Sequence, residues 1–135
     1  MLPPNYTGGL AQHEARRQVA LIRESKREYE HTGKVEDRPK VTDKPTPRST
    51  HAAKFERKYG FTVGNISRVK REFPDTNVAT ILSKGRAAYA SSGSRPNVSS
   101  EQWARARLAS VLTGGNALRV DKDLVGPESL KKIRS

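Results

Sequence analysis

One break does most to narrow what this chain can fold into. Lys84 to Gly115 reads KGRAAYASSGSRPNVSSEQWARARLASVLTGG, two helix-like halves parted by Ser91-Ser92-Gly93-Ser94-Arg95-Pro96. A proline forces the residue before it out of the α region, so the first helix cannot run through Arg95. Gly93 admits a positive φ. The stretch therefore reads as helix, loop, helix. Its second half carries both end signals. Ser99 stands three residues before Gln102, the capping-box spacing. Gly114 follows the last apolar residue, where a left-handed glycine stops a helix. Ala104, Leu108, Val111 and Leu112 share one face, and Trp103 lies beside it.

The polar residues of this stretch have two readings. Arg86, Arg105 and Arg107 are solvated arginines of core helices, or they line a surface near a helix N-terminus, where free N–H groups attract anions. The loop, with Ser92, Ser94 and Arg95, is a tight connection, or it is a cradle of backbone and hydroxyl groups for a phosphate or carboxylate. It is not a Walker loop, because the required G-x-x-x-x-G-K is absent.

The run Gly85-Arg86-Ala87-Ala88-Tyr89-Ala90-Ser91-Ser92-Gly93-Ser94-Arg95-Pro96, then Trp103, Ala106-Arg107-Leu108-Ala109-Ser110 and Gly114-Gly115, resembles a family of small basic proteins of large eukaryotic DNA viruses, the chlorella-virus and mimivirus kind. Pro4, Tyr6, Leu10, Ser25, Lys26, Tyr29, Arg38-Pro39-Lys40, Arg48-Ser49 and His51 fit the same resemblance. Ala90, Val98-Ser99 and Ala104 depart from the family pattern, which often has tyrosine, Gln-Thr and glycine there. The resemblance implies viral origin and association with the virion. It implies no known activity.

Composition limits the core. The chain is 33% hydrophobic with a mean hydropathy of −0.80, against ~45–50% apolar in a typical globular chain. Part of it is expected to order only against a partner. The net charge of +12 calls for an acidic partner: nucleic acid, an anionic membrane surface or acidic protein. Cysteine is absent, which excludes disulfides and thiolate metal sites. His13, His31 and His51 are too scattered to suggest a metal cluster. Asp121-Lys122-Asp123 lacks the spacing of a calcium loop. No apolar run approaches the ~18 residues of a transmembrane helix, and the first residues do not read as a secretory signal.

The remaining chain divides by punctuation. Residues 1–33 hold an extended start, with Tyr6 as an anchor for a partner, and a long helix from Leu10 to Thr32. Its stripe is Ala11, Ala15, Val19, Ile22 and Tyr29, with Lys26 as a polar member, and Gly33 is its stop. Val19, Ile22 and Tyr29 are candidate partner contacts. That stripe lacks the Trp, Phe and Leu a membrane helix would bury. Residues 34–50 are a basic linker with Pro39, Pro45 and Pro47, able to span ~40–50 Å. Arg38 and Arg48 are its contact points, on neighbouring proteins or phosphates, unless the segment is a plain tether.

Residues 51–125 are expected to form a small helical domain. Its helices run from Ser49 to Gly60, from Asn65 to Phe73, and onward from a cap at Asp75. Phe55, Tyr59, Ile66, Val69, Phe73, Ile81, Leu82, Leu108 and Val111 form the expected core. The short Phe73-Pro74-Asp75 connection raises a helix-turn-helix idea. Asn116 to Ser135 reads as irregular chain, with a last helical turn able to start at Pro127-Glu128-Ser129-Leu130 and residues 126–135 a basic tail. The fold class is all-α: a small helical bundle with a long N-terminal helix, an extended proline-rich arm and a basic tail.

Enzyme chemistry finds little footing. Carboxylates are not paired among apolar residues, and the G-x-S-x-G elbow is absent. No catalytic residue, metal ligand or cofactor is expected. Two functions remain. One is a virion structural protein, a minor capsid or internal component made in the infected cell, which ties neighbours together and meets other capsid proteins, the major capsid protein included. The other is a DNA-binding protein packaged with the genome, holding phosphates without sequence preference.

Overall fold

A computed structural model describes residues 2–135. It is all-helical, and among the described residues seven α-helices are found: α1 (Gln12–Thr32), α2 (Thr50–Tyr59), α3 (Ile66–Glu72), α4 (Val78–Ser92), α5 (Ser100–Leu112), α6 (Asn116–Asp121) and α7 (Pro127–Arg134). Two compact units share them. One comprises the chain up to Pro47 together with Arg86–Trp103, and the other comprises Arg48–Gly85 with Ala104–Ser135.

In the first unit, α1 begins where the Ala11 N–H donates to the Glu14 carboxylate. It ends on Gly33, whose N–H returns to the Tyr29 carbonyl. Its covered face keeps Ile22 and Tyr29 of the expected stripe, with Ala15 and Val19 half-buried, and departs from it at two positions. Ala11 and Lys26 are exposed, and the inward line runs through Gln18, Ile22, Ser25 and Tyr29. The reason is what this face meets: the carbonyls of Ala90 and Ser94, which need donors. Gly93 has φ +100, and a Cβ there would come within 3.0 Å of Ile22 and 3.2 Å of Tyr6. Both conformation and space therefore demand glycine in the loop.

The expected arm has no regular structure over residues 34–49, but it is not a free strap. The Val41 N–H donates to Asn97 Oδ1 at 2.8 Å, and Asn97 Nδ2 donates to the Thr42 carbonyl at 2.6 Å. Asn97 holds φ +60 to do so, a conformation asparagine tolerates better than most residues. Val41 is buried. Donors and acceptors of the arm match those of the chain just after α4, and that match fixes it.

In the second unit the caps follow the sequence signals closely. The Ser49 hydroxyl accepts from the Ala52 N–H, and Asn65 accepts from the Arg68 N–H. Asp75 does not cap α4. Asn77 does, because it stands immediately before the first turn and accepts from the Thr80 N–H. Asp75 instead accepts from the Glu128 and Ser129 N–H groups at the start of α7. Phe55, Val69, Phe73, Ile81, Leu108, Val111 and Leu112 are fully buried, with Tyr59 and Ile66 packed against them.

Residues 116–135 are not irregular. α6, a 3-10 turn at Lys122–Leu124 and α7 fill them. Val125 and Ile133 join the core, so 126–135 is not a solvated tail. Ile133 and Leu130 stand three apart on α7, Pro127 opens that helix, and Asp75 closes its free N–H groups.

Candidate functional site

The first unit is built around an arginine clamp. The Arg38 guanidinium lies 3.8 Å from the Tyr89 ring centroid. One of its nitrogens donates to Ser25 Oγ at 3.1 Å and to the Tyr89 carbonyl at 2.8 Å, and another donates to Ser94 Oγ at 2.7 Å. The Arg38 N–H donates to the Tyr89 hydroxyl at 2.9 Å. Gln18 donates to the Ser94 carbonyl at 3.1 Å. The positions follow from local structure. Tyr89 and Ala90 lie in the last turn of α4, where carbonyls have room for further donors and the dipole favours a cation. Burial holds the Arg38 guanidinium below its ordinary range and pushes the Tyr89 phenol up.

The loop thus receives a cation and connects two helices, in line with the tight-connection reading rather than the anion cradle. Ser94 is buried, and its hydroxyl donates to the Arg95 carbonyl while accepting from Arg38. The start of α5 is likewise closed from within. Ser99 and Gln102 form the expected capping box, with bonds of 3.1 and 2.9 Å. The Ser100 N–H donates to Asp37 of the arm at 2.8 Å. That helix start therefore already holds a carboxylate.

Other candidates of this unit are mostly engaged. Arg86 donates to Glu101 through two nitrogens. Tyr6 is buried edge-on against Trp103, with centroids 5.7 Å apart. Ile22 is buried as well, and Arg38 is half-buried and bonded within the unit, so all three have contacts inside this unit. Val19 and Tyr29 are half-buried, and Ser92 is exposed. Arg95 is half-buried, and its guanidinium has no partner among the described residues.

In the second unit, Arg107 donates twice to the fully buried Asp121, at 2.8 and 2.9 Å, and Lys84 adds a third bond. Burial pushes the Asp121 carboxyl up, but the bonds from Arg107 and Lys84 outweigh it and hold the group below its usual range. Arg48 pairs with Glu56 on the surface. Arg105 is exposed beside Gly64. Burial pushes the Tyr59 phenol up to about 12, and its hydroxyl donates to the Leu112 carbonyl.

Charge is divided unequally between the two units. The second unit holds 15 lysines and arginines against 6 acids, a net +9, and the first holds 11 against 8, a net +3. Several of the second unit's cations serve its helices. Lys58 donates to the Ile133 carbonyl at the end of α7, and Lys132 donates to the Glu72 carbonyl at the end of α3. Arg57, Lys70, Arg71 and Arg134 are exposed.

Sequence reasoning missed Gln18, Ser25, Asp37 and Asn97. A glutamine and a serine inside an otherwise apolar stripe were the available signal for the first two. Asn97 after Arg95-Pro96 was a signal for a positive φ. Among the described residues no group of three His, Cys, Asp or Glu is placed to hold a metal ion. Among the same residues no helix is long and apolar enough to cross a membrane.

These features define an all-helical protein whose motif serines, tyrosine and arginine fasten one segment of the chain to another. Residues 3–125 match DUF5824, a family of unknown function, and the chain belongs to that family. No curated protein and no solved structure matches it.

Proposed function

We propose that this protein is a structural component of a large DNA virus particle, a minor capsid or internal protein that holds neighbouring subunits by shape and charge and carries out no catalysis. The observation behind this reading is the clamp. Ser25, Arg38, Tyr89 and Ser94, all within the resemblance to viral basic proteins, are bonded to one another or to backbone. A motif committed to fixing the chain suits a protein whose product is a rigid surface. Its partners are then other capsid proteins, the major capsid protein among them, and its place is the virion.

Nucleic-acid binding is the second reading, favoured by the net +9 of the second unit. Lysines and arginines there would neutralise phosphates in a salt-dependent way. Contact with an anionic membrane surface would draw on the same charge. Particle fractionation separates these readings. Purified virions are opened, treated with nuclease and washed at rising salt, and the protein is followed by mass spectrometry. Retention with the capsid shell supports the structural reading. Release with the genome favours the second reading, release with a lipid fraction favours membrane contact, and absence from virions removes all three.

A further inference from the structure

We propose that a groove in the first unit docks an extended acidic segment of a neighbouring protein, through Arg95. The groove encloses about 420 Å³, within the range of ligand clefts. Leu10, Pro45, Pro47 and Pro96 supply apolar walls, and Lys44 and Arg95 supply charge. No carboxylate lines it. Lys44 is partly committed, since its ammonium donates to the Gly9 carbonyl at 2.6 Å. Arg95 is not committed. Of the three arginines of this unit that are not exposed, Arg38 is held by the clamp and Arg86 by Glu101, so Arg95, half-buried and without a partner among the described residues, stands out at this groove.

The chemistry selects the occupant. A guanidinium favours a carboxylate, which it meets bidentately. Proline walls suit apolar side chains flanking that carboxylate. The prolines lack N–H groups, so wall and ligand match by shape and charge more than by strand pairing. The lining holds no aromatic ring on which a base could stack. A second copy of this chain is a poor occupant, given its net charge of +12. The inference rests on the proposed role as a particle component and names the chemistry of its neighbour.

The test uses the full chain and fluorescein-labelled hexapeptide pools. One pool carries two central aspartates or glutamates between apolar residues, and the control pool carries asparagine or glutamine instead. Anisotropy should show the acidic pool binding at least about tenfold more tightly. Arg95→Ala should remove that preference, and Lys40→Ala, outside the groove, should leave it intact. Arg95→Glu should reverse it toward a lysine pool. Equal binding of both pools overturns the proposal, as does an unchanged preference in an Arg95→Ala protein whose circular dichroism matches wild type. So does an oligonucleotide that binds through Arg95 and displaces the peptide. Failure here leaves the virion result standing, and absence from virions leaves a positive peptide result standing.

Discussion

Replacing Arg38 by alanine tests the clamp directly. Three side-chain hydrogen bonds and one ring contact are lost. A bond to a charged group is worth ~1.5–3 kcal/mol net, and a guanidinium over a ring ~0.5–2 kcal/mol. Their plain sum overstates the effect. Arg38 is half-exposed, so its removal also relieves a desolvation penalty and admits water. The acceptors keep other partners, since Ser94 Oγ still donates to the Arg95 carbonyl and the Tyr89 carbonyl still receives the Gly93 N–H. The expected loss is ~2–4 kcal/mol, large for a single substitution. At ~3–5 °C per kcal/mol for a chain of this size, the melting temperature should fall by roughly 6–20 °C. Hydrogen exchange localises the effect. The amides of Arg38, Val41, Gly93 and Ser100, all bonded in the first unit, should exchange about 30- to 1,000-fold faster. Arg38→Lys keeps the charge without the fork and should recover part of the loss. A melting temperature within ~1 °C of wild type, with those amides unchanged, would refute the reasoning.

Three further perturbations probe other joints. Gly85→Ala places a Cβ 2.7 Å from Ala104 Cα; its helix-propensity gain of ~1 kcal/mol should be outweighed by overpacking of ~1–3 kcal/mol, and a higher urea midpoint would contradict this. Gly93→Ala combines φ +100 with contacts near 3.0 Å to Ile22, so a fall of ~2 kcal/mol or more is expected by thermal melting, and a neutral result would show that the loop adapts. Asp121→Asn leaves Arg107 and Lys84 facing an amide in a buried site, an expected loss of ~3–5 kcal/mol at pH 7. Because the folded carboxyl sits below its usual value, Asp121 contributes fully above about pH 4, and the contribution fades as pH falls through the lower folded pKa. The Asn variant should therefore show a flatter stability profile below pH 4 than wild type, and parallel profiles would exclude the assignment.

What could be read from the sequence was local. Boundaries of α2, α3 and α5 follow from Ser49, Asn65, Ser99 and the glycines, because caps and periodicity act within a few residues. The core of the second unit follows from spacing of the same kind. The clamp joins Arg38 to Ser94, which are 56 residues apart, and no local signal encodes that pairing. The polar members of the α1 face, Gln18 and Ser25, were missed for the same reason. Apolar periodicity points to Ala11 and Lys26 as readily as to Gln18 and Ser25, and only the carbonyls after α4 decide between them. α6 has six residues and α7 eight, too few for a strong periodic signal, and α7 depends on a cap from distant Asp75.

The sign of a site is set by orientation as much as by composition. Serine hydroxyls both donate and accept, so Ser91 to Ser94 could have faced an anion or a cation. The end of α4 presents carbonyls, and that settles the matter in favour of a guanidinium. The same logic sorts the remaining arginines. Arg86 and Arg107 are held by Glu101 and Asp121, and a bound anion would have to displace a carboxylate from each. Arg95 and Arg105 meet no such competitor, so a search for an acidic partner belongs on them. They stand in different units, and a double variant would merge two separate surfaces into one signal. Single substitutions assign the loss: peptide binding should follow Arg95, and any salt-sensitive retention of DNA should follow Arg105 with the exposed cations of the second unit.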